Sequence, residues 1–309
     1  MTVMPVSRLS LSTALTVGLI AVSIRAQKPP APSVDLVEID VTVLDSRGKP
    51  VHDLTKEGFL VKEDGRPIEL TTFEEVSPQR ATEDEDAPSL VLLLDDAGVS
   101  ATGTRAIQTI AHAFVTTATS RDRVSVVRLH TSSDEPFGDR RTAENRIVEF
   151  RAASHAFVDW LTPQDSLQRM ADLARQLESA SARRKIIVCV GSPVVCNAYE
   201  PVKASPRSLW PFWVDVLGAA ARTNTVIYAV VPGRAGLRGG GLVEFTGGEV
   251  FATTYDVGPA IDRIFQDAAN YYVLGYWPQP DGKPRALHSI EVKSPRRGLK
   301  VRARRARGP

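Results

Sequence analysis

The chain has 309 residues, 43% of them hydrophobic, enough for one sizeable core and a smaller satellite. Its formal net charge is only +2, so the overall balance gives no reason to expect nucleic acid or an anionic membrane as partner.

Residues 1–26 read as a secretory signal, with Arg8 in a short charged region, the apolar stretch Leu9 to Ile24, and Ala26 before Gln27. That stretch is short for the roughly 20 apolar residues a membrane span needs, so cleavage is preferred over an anchor. The remainder is then secreted or periplasmic, with no membrane span after cleavage. Cys189 and Cys196 are the only cysteines. An oxidising compartment permits them to pair; the alternative is a small buried Cys189 and a separate Cys196 in a loop.

After the Pro-rich spacer 27–33, VDLVEIDVTVLD alternates with period two, the pattern of a strand with one buried face. GFLVKEDGRPIELTTFEEV follows as two strands joined by Asp64-Gly65, a hairpin dipeptide, so 34–76 is expected to form a small antiparallel β unit. Residues 77–88, SPQRATEDEDAP, have the composition of a solvated acidic linker.

From residue 88 the pattern changes to apolar strands alternating with amphipathic helices, which implies βαβ crossovers and a mainly parallel sheet. Strands are expected at SLVLLLD, RVSVVRLH, RRKIIVCVG and NTVIYAVV. Helices are expected over 103–118, in TAENRIVEFR, after Thr162-Pro163, over 209–222 and over 258–270. GLRGGGLVEFTGGEVF lacks the Lys-Ser/Thr pair of a phosphate loop and reads as a crossing followed by a Gly-Gly turn. In WPFWVD, core packing of Trp210, Phe212 and Trp213 is preferred over a partner anchor. YYVLGYWP gives a further strand. LHSIEVKSPRRGLKVRARRAR alternates about Pro-Arg-Arg-Gly and is expected to be a hairpin with a solvated cationic face; a polyanion-binding arm is the alternative.

The strand ending in Asp95, Thr162 at a helix start, RRKIIVCVGS, AARTNTVIYAVV, FTGGEVFA and YYVLGYWP together resemble the VWFA-related family, secreted bacterial proteins with a von Willebrand factor A-like domain. LTKEGFLVKEDGRPIELTTFEEV is similar to the β unit that precedes that domain. The resemblance implies a doubly wound, mainly parallel α/β sheet over 88–272. It also implies a small antiparallel β unit formed by the N-terminal strands and a C-terminal hairpin within 273–309.

In metal-binding members of that fold, an adhesion site takes oxygen donors from an Asp-x-Ser-x-Ser loop, a later Thr and a later Asp. Carried onto this chain, Asp95 keeps the first carboxylate and Thr162 the hydroxyl, but the serine positions fall on Ala97 and Val99 and the last aspartate on Ser192. Slipping by one places Asp96 and Ser100 in the set, with Gly98 at the first serine position. Hard cations require several oxygen ligands, so no cofactor is expected. If Mg²⁺ or another divalent ion bound, Asp95, Asp96, Ser100 and Thr162 would hold it. Otherwise the two aspartates accept hydrogen bonds from loop amides or the following helix, and Ser100 caps that helix.

The implied function is a non-catalytic, adhesion-type module with a degenerate metal site, presenting Asp95, Asp96, Ser100, Thr162 and Ser192 to an extracytoplasmic protein and not to nucleic acid. The alternative is an extracytoplasmic hydrolase. Asp95, His130 and Ser192 lie near strand ends, but Ser192 precedes Pro193 and does not occupy a nucleophile elbow, and the five histidines form no His-x-x-x-His motif.

Overall fold

Leu90 to Leu94 are five consecutive apolar residues with no exposed surface, and they form an inner strand of a parallel sheet. The computed structural model describes residues 36–78, 87–119, 122–130, 135–152, 163–198, 208–233, 241–253, 256–279 and 287–308. The signal segment, the spacer, most of the acidic linker and Thr162 lie outside them.

In chain order the strands are β1 (Val37–Leu44), β2 (Leu60–Glu63), β3 (Arg66–Ile68), β4 (Thr72–Val76), β5 (Ser89–Leu94), β6 (Arg123–Arg128), β7 (Lys185–Val190), β8 (Thr225–Pro232), β9 (Val250–Thr253), β10 (Tyr271–Tyr276), β11 (His288–Lys293), β12 (Lys300–Ala303) and β13 (Ala306–Arg307). The helices are α1 (Thr104–Thr117), α2 (Arg140–Glu149), α3 (Pro163–Gln176), α4 (Pro193–Cys196), α5 (Trp210–Arg222), α6 (Leu242–Thr246) and α7 (Gly258–Ala269).

The parallel sheet has the order β6-β5-β7-β8-β9. Its strands are apolar on both sides because both faces are covered. Ile107 and Phe114 of α1, Ile147 of α2 and Ile264 of α7 pack on one face; Met170 of α3, Trp213 of α5 and Leu242 of α6 pack on the other. Trp213 is fully buried, stacks on Trp210 and meets Phe245 edge-on at 4.7 Å, so this aromatic cluster serves the core. The Gly-dense stretch, read as a crossing and a turn, contains α6 and leads into β9. α6 ends at Gly247, whose φ of 92° is the left-handed conformation a helix stop favours.

The expectation of a doubly wound von Willebrand factor A-like fold with one small β unit is corrected by the remaining strands. Eight of the strands build two four-stranded antiparallel sheets, β12-β1-β10-β4 and β13-β11-β2-β3, against five in the parallel sheet. The N-terminal strands pair among themselves only at the β2-β3 hairpin, turned by Asp64 and Gly65 at φ of 49° and 77°. β1 pairs instead with β10 and β12, and β4 with β10. The C-terminal segment is not a hairpin: β11 pairs with β2 and β13, and β12 pairs with β1. Period-two alternation tells which face of a strand is apolar but not which strand lies beside it.

β1 shows the consequence. Its alternate face, Asp40 and Thr42, reads as solvent-facing but is buried against the loops that start β7 and β8. Asn224 donates to Asp40 Oδ1 at 3.0 Å, and Arg184 Nε lies 3.6 Å from Asp40 Oδ2. Arg184 also donates to the Asp267 carbonyl at 2.6 Å and covers the Tyr271 ring at 4.4 Å. The Asp267 carboxylate pairs with Arg302 of β12 and accepts from the Tyr228 hydroxyl at 3.2 Å. Burial pushes the Asp40 carboxyl up, against the pull of Arg184 and Asn224. Removing one member of such a cluster leaves a buried charge uncompensated. Urea denaturation is expected to show Asp267→Ala costing about 3–5 kcal/mol, whereas Lys300→Ala at an exposed ion pair costs under about 1 kcal/mol; similar values for the two would refute the role of this buried cluster.

Candidate functional site

The order of the parallel sheet places a strand on each side of β5, so the crossover direction reverses between β5 and β7, and the carboxyl ends of these two strands border the crevice where such sheets bind ligands. Asp95 and Asp96 follow β5; Gly191 and Ser192 follow β7. Asp95 has no exposed surface. Its Oδ1 accepts from the amides of Ala97 at 3.2 Å and Gly98 at 2.5 Å, and its Oδ2 accepts from the amide of Ser192 at 2.9 Å. One carboxylate thereby ties the loop after β5 to the loop after β7. Burial raises the Asp95 carboxyl above its ordinary range, while the three amides and the charge of His130 pull it the other way.

Two glycines enclose the carboxylate: Gly98, which the slipped register places only at a missing serine position, and Gly191, which no sequence pattern singles out. A Cβ on Gly98 would stand 2.4 Å from Asp95 Oδ2, and a Cβ on Gly191 would stand 2.2 Å from Asp95 Cβ. The serine that the slipped register asks for at 98 has no space there. The only sequence signal was a glycine within a few residues of each strand end, Gly98 four after Leu94 and Gly191 directly after Val190, which is common in turns.

Asp96 is also fully buried, and its Oδ1 accepts from the His130 amide at 2.9 Å, linking the ends of β5 and β6. The His130 Nε2 lies 3.2 Å from the Ser166 hydroxyl on α3. Burial lowers the His130 pKa, against the charges of Asp96, Asp95 and Asp165. Ser192 reaches Asp95 through its amide, while its hydroxyl accepts from the Val194 amide at 3.3 Å. The groups of the imagined Ser-His-Asp relay thus make other contacts: Asp95 with amides, His130 with Ser166, Ser192 with its own loop. Ser100 does not cap α1; a short 3₁₀ turn, Ala101–Gly103, intervenes, and the Ser100 hydroxyl lies 2.7 Å from that of Thr102. The structure therefore brings Asp95, Asp96 and Ser192 together and sets Ser100 further along the loop.

Asp95 offers oxygens already engaged by backbone amides, and positions 97 and 99 carry apolar side chains. Among the described residues no group of three or more His, Cys, Asp or Glu side chains is arranged to hold a metal ion.

Cys189 and Cys196 form a disulfide, joining β7 to α4 across the Ser192 loop. Val194, inside that loop, is an exposed apolar side chain at 67%. Among the described residues, no helix is long and apolar enough to cross a membrane.

No protein-family model and no curated protein matches this chain. Among solved structures it is similar to a point mutant of the PilB minor pilin from Streptococcus sanguinis, at 11% identity and a TM-score of 0.37 over 62% of each chain. It is also similar to the three N-terminal domains of the type V pili tip protein Mfa5 from Porphyromonas gingivalis, at 12% identity and a TM-score of 0.28, over 57% of this chain and 30% of that one. The chain thus spans less than two thirds of either structure. Neither comparison places it in the von Willebrand factor A-related family that its motifs resemble.

Two outcomes follow from this geometry. Gly98→Ser forces a side chain against the Asp95 carboxylate and should cost about 1–3 kcal/mol in chemical denaturation; an unchanged midpoint would contradict the packing. His130 binds its proton more weakly folded than unfolded, so its contribution to stability is full above the unfolded value of 6.5 and is lost as pH falls through the lower folded value. Denaturation midpoints measured between about pH 5 and 8 should decline on the acid side, and His130→Gln should flatten that decline.

Proposed function

We propose that the chain is a non-catalytic, extracytoplasmic protein-interaction module of adhesion type, whose contact surface is the rim formed by the loops after β5 and β7. The observation that carries this reading is the Asp95 carboxylate, buried and directed at three backbone amides, where it shapes two loops and leaves no exposed acid for chemistry. Those loops carry the exposed Val194 between disulfide-linked ends. A rigid apolar side chain on a braced loop loses little conformational freedom on binding, which suits an anchor in a partner's pocket. A disulfide in a chain with only two cysteines also favours an oxidising compartment. With Ala97 and Val99 at the serine positions, recognition at this rim is independent of a divalent cation, as a degenerate adhesion site would be. Partners are extracytoplasmic proteins rather than nucleic acid.

The test uses the full chain carrying a photo-crosslinking benzoylphenylalanine at position 194, and a control carrying it at Val148, which is equally exposed at 68% on α2. The expected outcome is a discrete extracytoplasmic protein adduct from 194 alone, formed equally with magnesium or with a chelator. An adduct that requires magnesium would overturn the cation-independent reading. Turnover of ester or peptide substrates that disappears in Ser192→Ala would overturn the non-catalytic one.

A further inference from the structure

β11 and β12 follow one another in the chain but join different sheets, and between them lies a cleft of about 680 Å³. Its walls are residues 290–293 and Lys300–Ala303, and residues 247–250 also line it. β12 is the outer strand of its sheet and pairs only with β1. β11 is held by β2 along one side, while on the other the two-residue β13 pairs only with His288 and Ser289. Residues 291–293 extend beyond that cover. Two strand edges therefore border one groove.

Edges of this kind are usually blunted, because their free amides and carbonyls can pair with another chain. The outer edge of the parallel sheet is treated in that way: Arg146 of α2 donates to the Val126 carbonyl of β6 at 2.7 Å. Along β12 the corresponding arginine side chains point to other partners. Arg302 is held by Glu249 and Asp267, and Arg304 donates to the carbonyls of Ala221 and Glu38.

The charge of the groove selects its occupant. Between residues 293 and 307 the chain carries eight Lys and Arg and no acid. Lys293, Arg296, Arg297, Lys300 and Arg305 are exposed. The acids that line the cleft already have partners: Glu249 takes Lys300 and Arg302, Glu291 takes Lys293, and Glu244 accepts from the Gly241 amide. Val292, Val301 and Ala303 face the core of the β sheets, so the strands are held from behind; Gly247 closes on the Ala303–Arg304 backbone at one end of β12, and Lys300, Val301 and Arg302 line the cleft beside it.

We propose that this cleft is a docking groove for an extended, acidic segment of a partner protein, which adds as a further strand to the outer edge of β12. Main-chain hydrogen bonds supply affinity in such an addition, and alternate side chains supply selectivity. Acidic side chains of the incoming strand meet the exposed Arg296, Arg297 and Arg305 and compete with Glu291 and Glu249 for Lys293 and Lys300. A polyanion such as a sulfated glycan would use the cations but not the strand edge, and the combination of the two favours a peptide. The groove shares no residue with the Asp95 loops, so this inference is independent of the function proposed above.

Fluorescence anisotropy with the full chain and a labelled peptide of about ten alternating Glu and Val residues provides the test. Saturable binding is expected, weakened at least about tenfold in Lys293→Glu/Lys300→Glu, whose substitutions fall on exposed side chains. Two further probes isolate the backbone contribution: the same peptide N-methylated at every Val, or at every Glu. Successive amides of an extended strand point to opposite sides, so one of these probes should bind at least about tenfold more weakly and the other should not. Hydrogen exchange of the Lys300–Ala303 amides should slow with the unmodified peptide. Absence of saturable binding, equal binding of both methylated peptides, or tight binding of a heparin oligosaccharide where the peptide fails would each overturn the proposal.

Discussion

The guanidinium of Arg184, whose side chain is 2% exposed, is the point on which the arrangement of the sheets depends. A charge at that depth cannot remain without partners, and here the partners come from three separate elements: Asp40 and Thr42 of β1, the end of α7 through the Asp267 carbonyl, and the Tyr271 ring of β10. Arg302 of β12 continues the cluster through Asp267 to Tyr228 in the parallel sheet. Hydrophobic contact alone would let the antiparallel sheet slide over the base of the parallel one. Directional bonds to a buried cation allow one seating. Such clusters add little net stability compared with apolar packing, and their physical effect is to penalise alternatives that leave a charge unpaired.

At the opposite end of the parallel sheet, Asp95 applies the same physics with the opposite sign. Its carboxylate is desolvated and compensated by backbone amides, and the bonds run between loops that follow different strands. Gly98 and Gly191 make that close approach sterically feasible. The base of the sheet is thus cemented to the antiparallel strands, while its carboxyl edge carries two loops held from below. Loops fixed in this way have little conformational freedom left to lose.

Much of the local structure could be read directly from residue patterns. The apolar stripe with Ile107, Ile110 and Phe114 specified α1, the run KIIVCV specified β7, and Asp64-Gly65 specified the tight hairpin between β2 and β3. The placement of the candidate residues was legible in part: two aspartates follow a buried strand, and Ser192 follows the strand beside it. The glycines that close on Asp95, the partner of His130 and the Arg184 cluster were not, because each depends on a contact between residues far apart in the chain. Asp40 shows why, since alternation along β1 gives it the same appearance whether it faces water or Arg184.

The sequence by itself determined where strands and helices form, because periodicity and turn chemistry act over a few residues at a time. Only the tertiary structure decided which strands pair, turning an expected C-terminal hairpin into two strands of different sheets and burying the polar face of β1. It also decided the role of Asp95, whose carboxylate could serve a cation, a catalytic base or the backbone with identical neighbours in sequence. The amide of Ser192, brought to it from 97 positions away, is what directs it to the backbone.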